Sequence, residues 1–257
     1  MECLVASPLS VSTSALAVDA SALDLSCSRL RSLNPDYPRM YAVAPMENEG
    51  KRRWWKLSTG LDGDRVPQMW ARALDDVEDP HAAAIQVATA LVHAVVGRVA
   101  ASVVLDGRAW DPGFENLWIH MDNDCGIDWV GVQDETMRAL PNDDTAGSSR
   151  TVVVPCERAL LVWTAHRCIT SLVPIHRAVS RCAQIDWVRF SGLVGESVLG
   201  AAAHVPVLAG GGEVVAQRRG QGMLDAFVAA GMPVRVRPRP IRARAGVAAA
   251  FERSLRN

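Results

Sequence analysis

The residue pattern predicts an α+β domain, mostly helical, in which a helical bundle packs on a small antiparallel sheet. Three observations carry that prediction. Apolar residues recur at i, i+3, i+4 and i+7 through residues 66–77 and again through 81–104. Around 117–132 the period switches to alternation on both sides of Asn123-Asp124-Cys125-Gly126, which is good turn chemistry. Helical patterning returns after Pro155 and persists to about Gly231.

Taken in order, a first helix is expected from about Ser14 to Leu33, with Leu16, Ala20, Leu23, Cys27 and Leu30 on one face and Asn34-Pro35 as its stop. Residues 36–64, with Pro45, Gly50, Gly60 and Gly63, read as loop. A compact helix follows, carrying Pro67 in its first turn and the stripe Val66, Met69, Trp70, Ala73, Leu74 and Val77. Pro80 separates it from a long helix, His81 to about Val104, with Ile85, Ala88, Val92, Val95, Val99 and Val103 in phase. Its polar interruptions, Gln86, His93 and Arg98, mark a buried amphipathic helix rather than a membrane span.

Leu117, Ile119 and Met121 then alternate with Trp118, His120 and Asp122, and Asp128, Val130 and Val132 with Ile127, Trp129 and Gly131: a hairpin over about 117–132. A third strand is expected over about 150–154. Pro155 suits the first position of a helix that runs to about Leu172, where Pro174 kinks or restarts it. A helix from about Ile185 to Ala203 contains Gly192, Gly195 and Gly200, which lower helix propensity and suggest close approach of a neighbour. Gly210-Gly211-Gly212 opens one more helix, closed at Gly231, and the tail carries prolines that restrict it to an edge strand or strap.

The 257 residues can bury a substantial core. A hydrophobic content of 49% with 21% charged residues is that of an ordinary globular chain. No secretory pattern opens the sequence, and the six cysteines stand at least twelve positions apart, so reduced thiols and a cytoplasmic location are expected, with no transmembrane segment. A formal net charge of −1 conceals an asymmetry: residues 106–147 carry a net −8, and residues 213–257 a net +6. The two segments either neutralise each other in the fold, which is the favoured reading, or the basic one attracts an anionic partner.

Three enzyme templates fail on spacing. Gly195-Glu196-Ser197-Val198-Leu199-Gly200 misses the nucleophile elbow by one residue; the triple glycine lacks the rest of a dinucleotide or phosphate loop; no histidine pair is spaced like a zinc protease. Cys156, His166, Cys168, His176 and Cys182 share one helical region, but His166 and Cys168 point to different sides, so structural thiols and capping or core histidines are the favoured reading, and a metal site built from Cys156, Cys168 and nearby histidines is the weaker alternative. Lys51-Arg52-Arg53-Trp54-Trp55-Lys56 mixes cations and aromatics as single-strand nucleic-acid or membrane-surface sites do. It lacks a second stacking platform and is read as a solvated turn whose tryptophans tuck into the core, with no nucleic acid as partner. Arg235, Arg237 and Arg239, followed by Arg242 and Arg244, would form a positive stripe if extended. A docking surface for an anionic ligand and a charge-protected edge both fit that stripe.

The order of these elements resembles the FhuF-type ferric-siderophore reductases. The resemblance rests on Ala88–Asp111 (ATALVHAVVGRVAASVVLDGRAWD), on the hairpin from Trp118 to Val132, and on Trp163–Ala203, where LVPIHRAVSR leads into IDWVRFSGLVGESVLGAA. It covers roughly residue 66 onward, which sets the expected division: an N-terminal helix and loop-rich segment, 1–65, and a reductase-like domain, 66–257. The resemblance implies one-electron reduction of siderophore-bound Fe(III) in bacterial iron acquisition, with a ferric siderophore and an external electron donor as partners. It also implies a [2Fe–2S] cluster held by a Cys-Cys pair and a Cys-x-x-Cys ten residues on. The sequence has no counterpart for those four thiolates, so no ligand is carried over and activity is in doubt. A shortened product and a derived member that keeps the ligand-binding body are both open. The alternative function is a non-catalytic siderophore- or partner-binding scaffold with an arginine-rich tail. Trp187, Arg189 and Arg181, around the start of the tryptophan helix, and Arg235, Arg237 and Arg239 are the candidate ligand-facing residues.

Overall fold

A computed structural model describes residues 21–46 and 53–235. Helix α1 (Ala22–Ser32) begins where Ser21 makes a capping box: its Oγ accepts from the Asp24 N–H at 3.1 Å, and the Asp24 carboxylate accepts from the Ser21 N–H at 3.2 Å. Leu23, Cys27 and Leu30 are buried on one face, as the stripe predicts, while Leu16 and Ala20 lie outside the described residues.

Two short strands, β1 (Val43–Pro45) and β2 (Trp54–Lys56), and a single-turn helix α2 (Leu57–Gly60) occupy the stretch read as loop. Three-residue strands carry no usable period, so alternation could not reveal them. Helix α3 (Arg65–Val77) and helix α4 (Pro80–Val92) form a hairpin. The Trp70 indole N–H donates to the Pro80 carbonyl at 3.1 Å, and Asp79 caps α4 by accepting from the Ala82 N–H. The axis of α4 continues through a π-helical turn, His93–Gly97, into α5 (Arg98–Asp106), which stops at the left-handed Gly107.

The hairpin is formed by β3 (Leu117–Met121) and β4 (Ile127–Val132), with Asp122 Oδ1 accepting from the N–H groups of Asp124 and Gly126 in the turn. Strand order is β1-β4-β3-β2: β3 is antiparallel to both neighbours, and β1 runs parallel to β4. The sheet is therefore mixed rather than wholly antiparallel. The expected third strand forms as β6 (Thr151–Val153), but it pairs in parallel with β5 (Met137–Ala139) in a separate two-stranded sheet.

Three long helices complete the bundle: α6 (Glu157–Ser180), α7 (Trp187–Ala209) and α8 (Glu213–Ala229). Helix α6 passes through Pro174 without a break, and Pro155 lies before its N-cap, Cys156. Asp186 caps α7 by accepting from the Val188 and Arg189 N–H groups. Of the α7 glycines, Gly195 accommodates a close neighbour, the Val234 carbonyl, 2.1 Å from where a Cβ would lie; nothing crowds Gly200. On α8 it is Gly220 that lets Ala202 of α7 approach.

One apolar cluster joins α1, β1, Trp55 and Leu57 to the later helices, so the described elements before residue 66 share the core of the rest. Two helical stretches, Pro80–Asp106 and Trp187–Ala209, are long and apolar enough to cross a membrane; the apolar window of the first is 83% buried inside the fold and that of the second 50%.

Candidate ligand platform and cavity

Strand pairing fixes what each sheet face carries. Trp55, Leu117, Ile119, Met121, Val130 and Val132 turn inward and are buried. On the opposite face the register places Trp54, His120 and Trp129 in one row across β2, β3 and β4, with Lys56, Trp118 and Gly131 in the next. The Trp54 and His120 ring centroids are 5.1 Å apart, and the Arg31 guanidinium lies 5.6 Å from the Trp129 ring centroid. A side chain at 131 would collide with Met46 Sδ and the Trp54 ring, so the bare backbone there lets both lie against the strand. The second aromatic platform that the Lys51–Lys56 run lacks in sequence is supplied from the hairpin.

A polar relay borders this face. His120 Nδ1–H donates to Asp128 Oδ1 at 2.6 Å, and Arg39 donates to Asp128 Oδ2 at 3.0 Å. Among the described residues nothing partners His120 Nε2, and its side chain is 21% exposed.

Beside the relay is a cavity of about 600 Å³ between residues 36–40, the π turn and the hairpin. Tyr37, Pro38, Met40 and Ile127 give it apolar walls. Arg98 also lines it, although only 1% of that residue is exposed. Its Nη1 donates to the Ala42 carbonyl and its Nη2 to the Asp128 carbonyl at 3.3 Å; buried Nε has no partner. Burial lowers the Arg98 pKa to about 10, with Asp128 opposing, so the group is charged at neutral pH.

His93 separates this cavity from a second one of about 410 Å³, lined by Tyr41, Leu193, Ser197 and His204 among others; Met40 lines both. The His93 Nε2–H donates to the Met40 carbonyl at 2.9 Å, and burial above all lowers its pKa; Arg98 adds to that and the bond to Met40 opposes it. The ring packs where a Gly97 side chain would be, with Nδ1 2.3 Å from the ideal Cβ position.

The residues singled out in the sequence lie elsewhere. Trp187 stacks on Phe190 at 5.8 Å and meets the edge of His176 at 5.0 Å. Arg189 makes a long pair with Glu196 (3.5 Å), Arg181 donates to the Leu61 carbonyl, and Arg235 pairs with Asp225. None of the four lines either cavity. Arg237 and Arg239 lie outside the described residues.

The described thiols are not grouped as an iron–sulfur cluster would need. Cys27 and Cys168 are fully buried on different helices; burial pushes the Cys27 pKa up to about 12 and the Cys168 pKa higher still. Cys156 is exposed at the start of α6, and Cys125 sits in the hairpin turn with φ 63°. No group of three or more His, Cys, Asp or Glu side chains is placed to hold a metal among the described residues. His176 instead donates to the Ile185 carbonyl at 2.8 Å. In comparisons with protein-family models, curated proteins and solved structures, nothing matches this chain.

Proposed function

We propose that this protein binds a ferric siderophore on the outer face of its four-stranded sheet and serves as the ligand-holding body of a siderophore-reductase-like system. The observation that carries the reading is the row Trp54–His120–Trp129, flanked by Arg31, Arg39 and Lys56. Successive strands are about 4.8 Å apart, so three rings in register make a platform roughly 10 Å long. That suits a compact, oxygen-rich chelate held by ring stacking and cationic contacts rather than by deep burial. The resemblance of residues 88–111, 118–132 and 163–203 to ferric-siderophore reductases supports the choice of ligand. The apolar stretches Pro80–Asp106 and Trp187–Ala209 act in this reading as core helices of the bundle, not as spans.

Siderophore oxygens hold hard Fe(III) far more firmly than Fe(II), so one electron loosens the metal. Among the described residues the thiols form no four-thiolate set, and in this reading the electron comes from a separate one-electron donor. The chain's own part in that reading is to orient the chelate.

Titration of tryptophan fluorescence with a ferric hydroxamate and a ferric catecholate, each beside its iron-free form, tests the reading. Quenching by a ferric form, weakened several-fold to roughly tenfold in Trp54→Leu, is expected. A folded protein that binds neither chelate refutes it.

A further inference from the structure

We infer that the cavity beside the sheet is a second, separate binding site, which takes a small organic acid: the carboxylate on Arg98, the apolar body against Tyr37, Pro38, Met40 and Ile127.

Burying a guanidinium without a carboxylate partner is costly, and most buried polar groups find a hydrogen-bond partner. Arg98 is 1% exposed, and its two hydrogen bonds go to backbone carbonyls, Ala42 and Asp128. A guanidinium has five N–H donors. Nε–H is among those unspent, on a side chain that lines a cavity of about 600 Å³.

The Asp128 charge supports the cation, and Asp36, Asp122 and Asp128 line the same cavity, but none of these carboxylates accepts a hydrogen bond from Arg98. The Asp128 carboxylate is engaged by Arg39 and His120, and Asp122 Oδ1 accepts from the hairpin turn. Arg98 therefore retains positive charge and unspent donors on a side chain that lines the cavity, and a carboxylate reaching it would accept two parallel hydrogen bonds. The four apolar side chains supply the hydrophobic contact that small-molecule sites typically add to one convergent polar group. A purely architectural Arg98, clamping residue 42 to the hairpin, would leave the cavity without preference for an anion.

Isothermal titration of the full chain with straight-chain carboxylates from acetate to octanoate, each beside the primary alcohol of equal length, tests the inference. Carboxylates of intermediate length are expected to bind, with the matching alcohols weaker by roughly tenfold or more. Arg98→Gln should abolish that preference, and Arg98→Lys should keep part of it. If Arg98→Gln does not fold, Ile127→Trp, which fills the cavity without touching Arg98, should weaken carboxylate binding by a similar factor. Equal affinity for acid and alcohol, no binding by the folded wild-type chain, or binding untouched by Ile127→Trp overturns the assignment. Trp54→Leu, which impairs the sheet platform, should leave carboxylate affinity unchanged, so failure here and failure of the siderophore reading are told apart.

Discussion

The carbonyl oxygen of Val234 lies 2.1 Å from the point where a side chain on Gly195 would begin. The chain leaving α8 is thus laid directly on the backbone of α7, and Val234 is itself buried. Gly195→Ala forces one of the two apart and should cost about 1–3 kcal/mol, as overpacking does. Urea unfolding of the two proteins measures it; Gly200→Ala, in open space, is the control and should be neutral or slightly stabilising.

Thiol chemistry should divide the cysteines by burial. The Cys27 and Cys168 thiols have pKa values pushed far up by burial, so almost no thiolate exists near pH 8. Cys156 is exposed. A disulfide reagent at pH 8 should modify Cys156 rapidly and reach Cys27 and Cys168 only after denaturation, with mass mapping as the readout. Rapid native labelling of Cys168 would contradict the packing of α6.

Stability should fall in mild acid because of His93. Its folded pKa lies below the ordinary 6.5, so the unfolded chain binds more protons between those two values. The contribution is complete above pH 6.5 and is lost as pH drops through the folded pKa. Asp106 acts in the opposite sense, since burial raises its pKa, so the difference between wild type and His93→Gln isolates the histidine. That difference should shrink as pH falls below about 6.5, followed by thermal melts across the range.

Glu157 ties α6 to α8. Its Oε1 accepts from Arg218 Nε at 3.1 Å, and its Oε2 accepts from Arg218 Nη2 and Arg219 Nε, each at 3.0 Å. Desolvation raises its pKa, but the hydrogen bonds and charges of the two arginines prevail and hold it below the usual glutamate value. The stabilisation is present above about pH 4.5 and is lost as pH falls through the folded pKa. Glu157→Gln should cost on the order of 1 kcal/mol at pH 7 and less at high salt, since Arg218 is largely exposed.

The helices were readable because their stripes repeat over several turns. Val66, Met69 and Ala73 are buried as their spacing requires, and the alternation of Leu117, Ile119 and Met121 gave the correct inward face of β3. Strands β1 and β2 were hidden because three residues cannot show a period, and with them went the parallel pairing of β1. For the same reason Trp54 was expected in the core. Trp55 is there, while Trp54, one residue earlier, faces the other way. Arg98 stood out only as a polar interruption in an apolar helix. No helical spacing marks it as a buried cavity residue, because the stretch is buried all round and the π turn resets the phase.

That turn bears on how such a cavity arises. Arg98 N–H reaches back five residues to the His93 carbonyl, one more than a regular α-helix allows. The turn takes up one extra residue, so removing a single residue from 93–97 would restore ordinary winding and leave α5 facing nearly as before. A one-codon insertion can thus bulge the helix beside the cavity while keeping Arg98 on Ala42 and the hairpin.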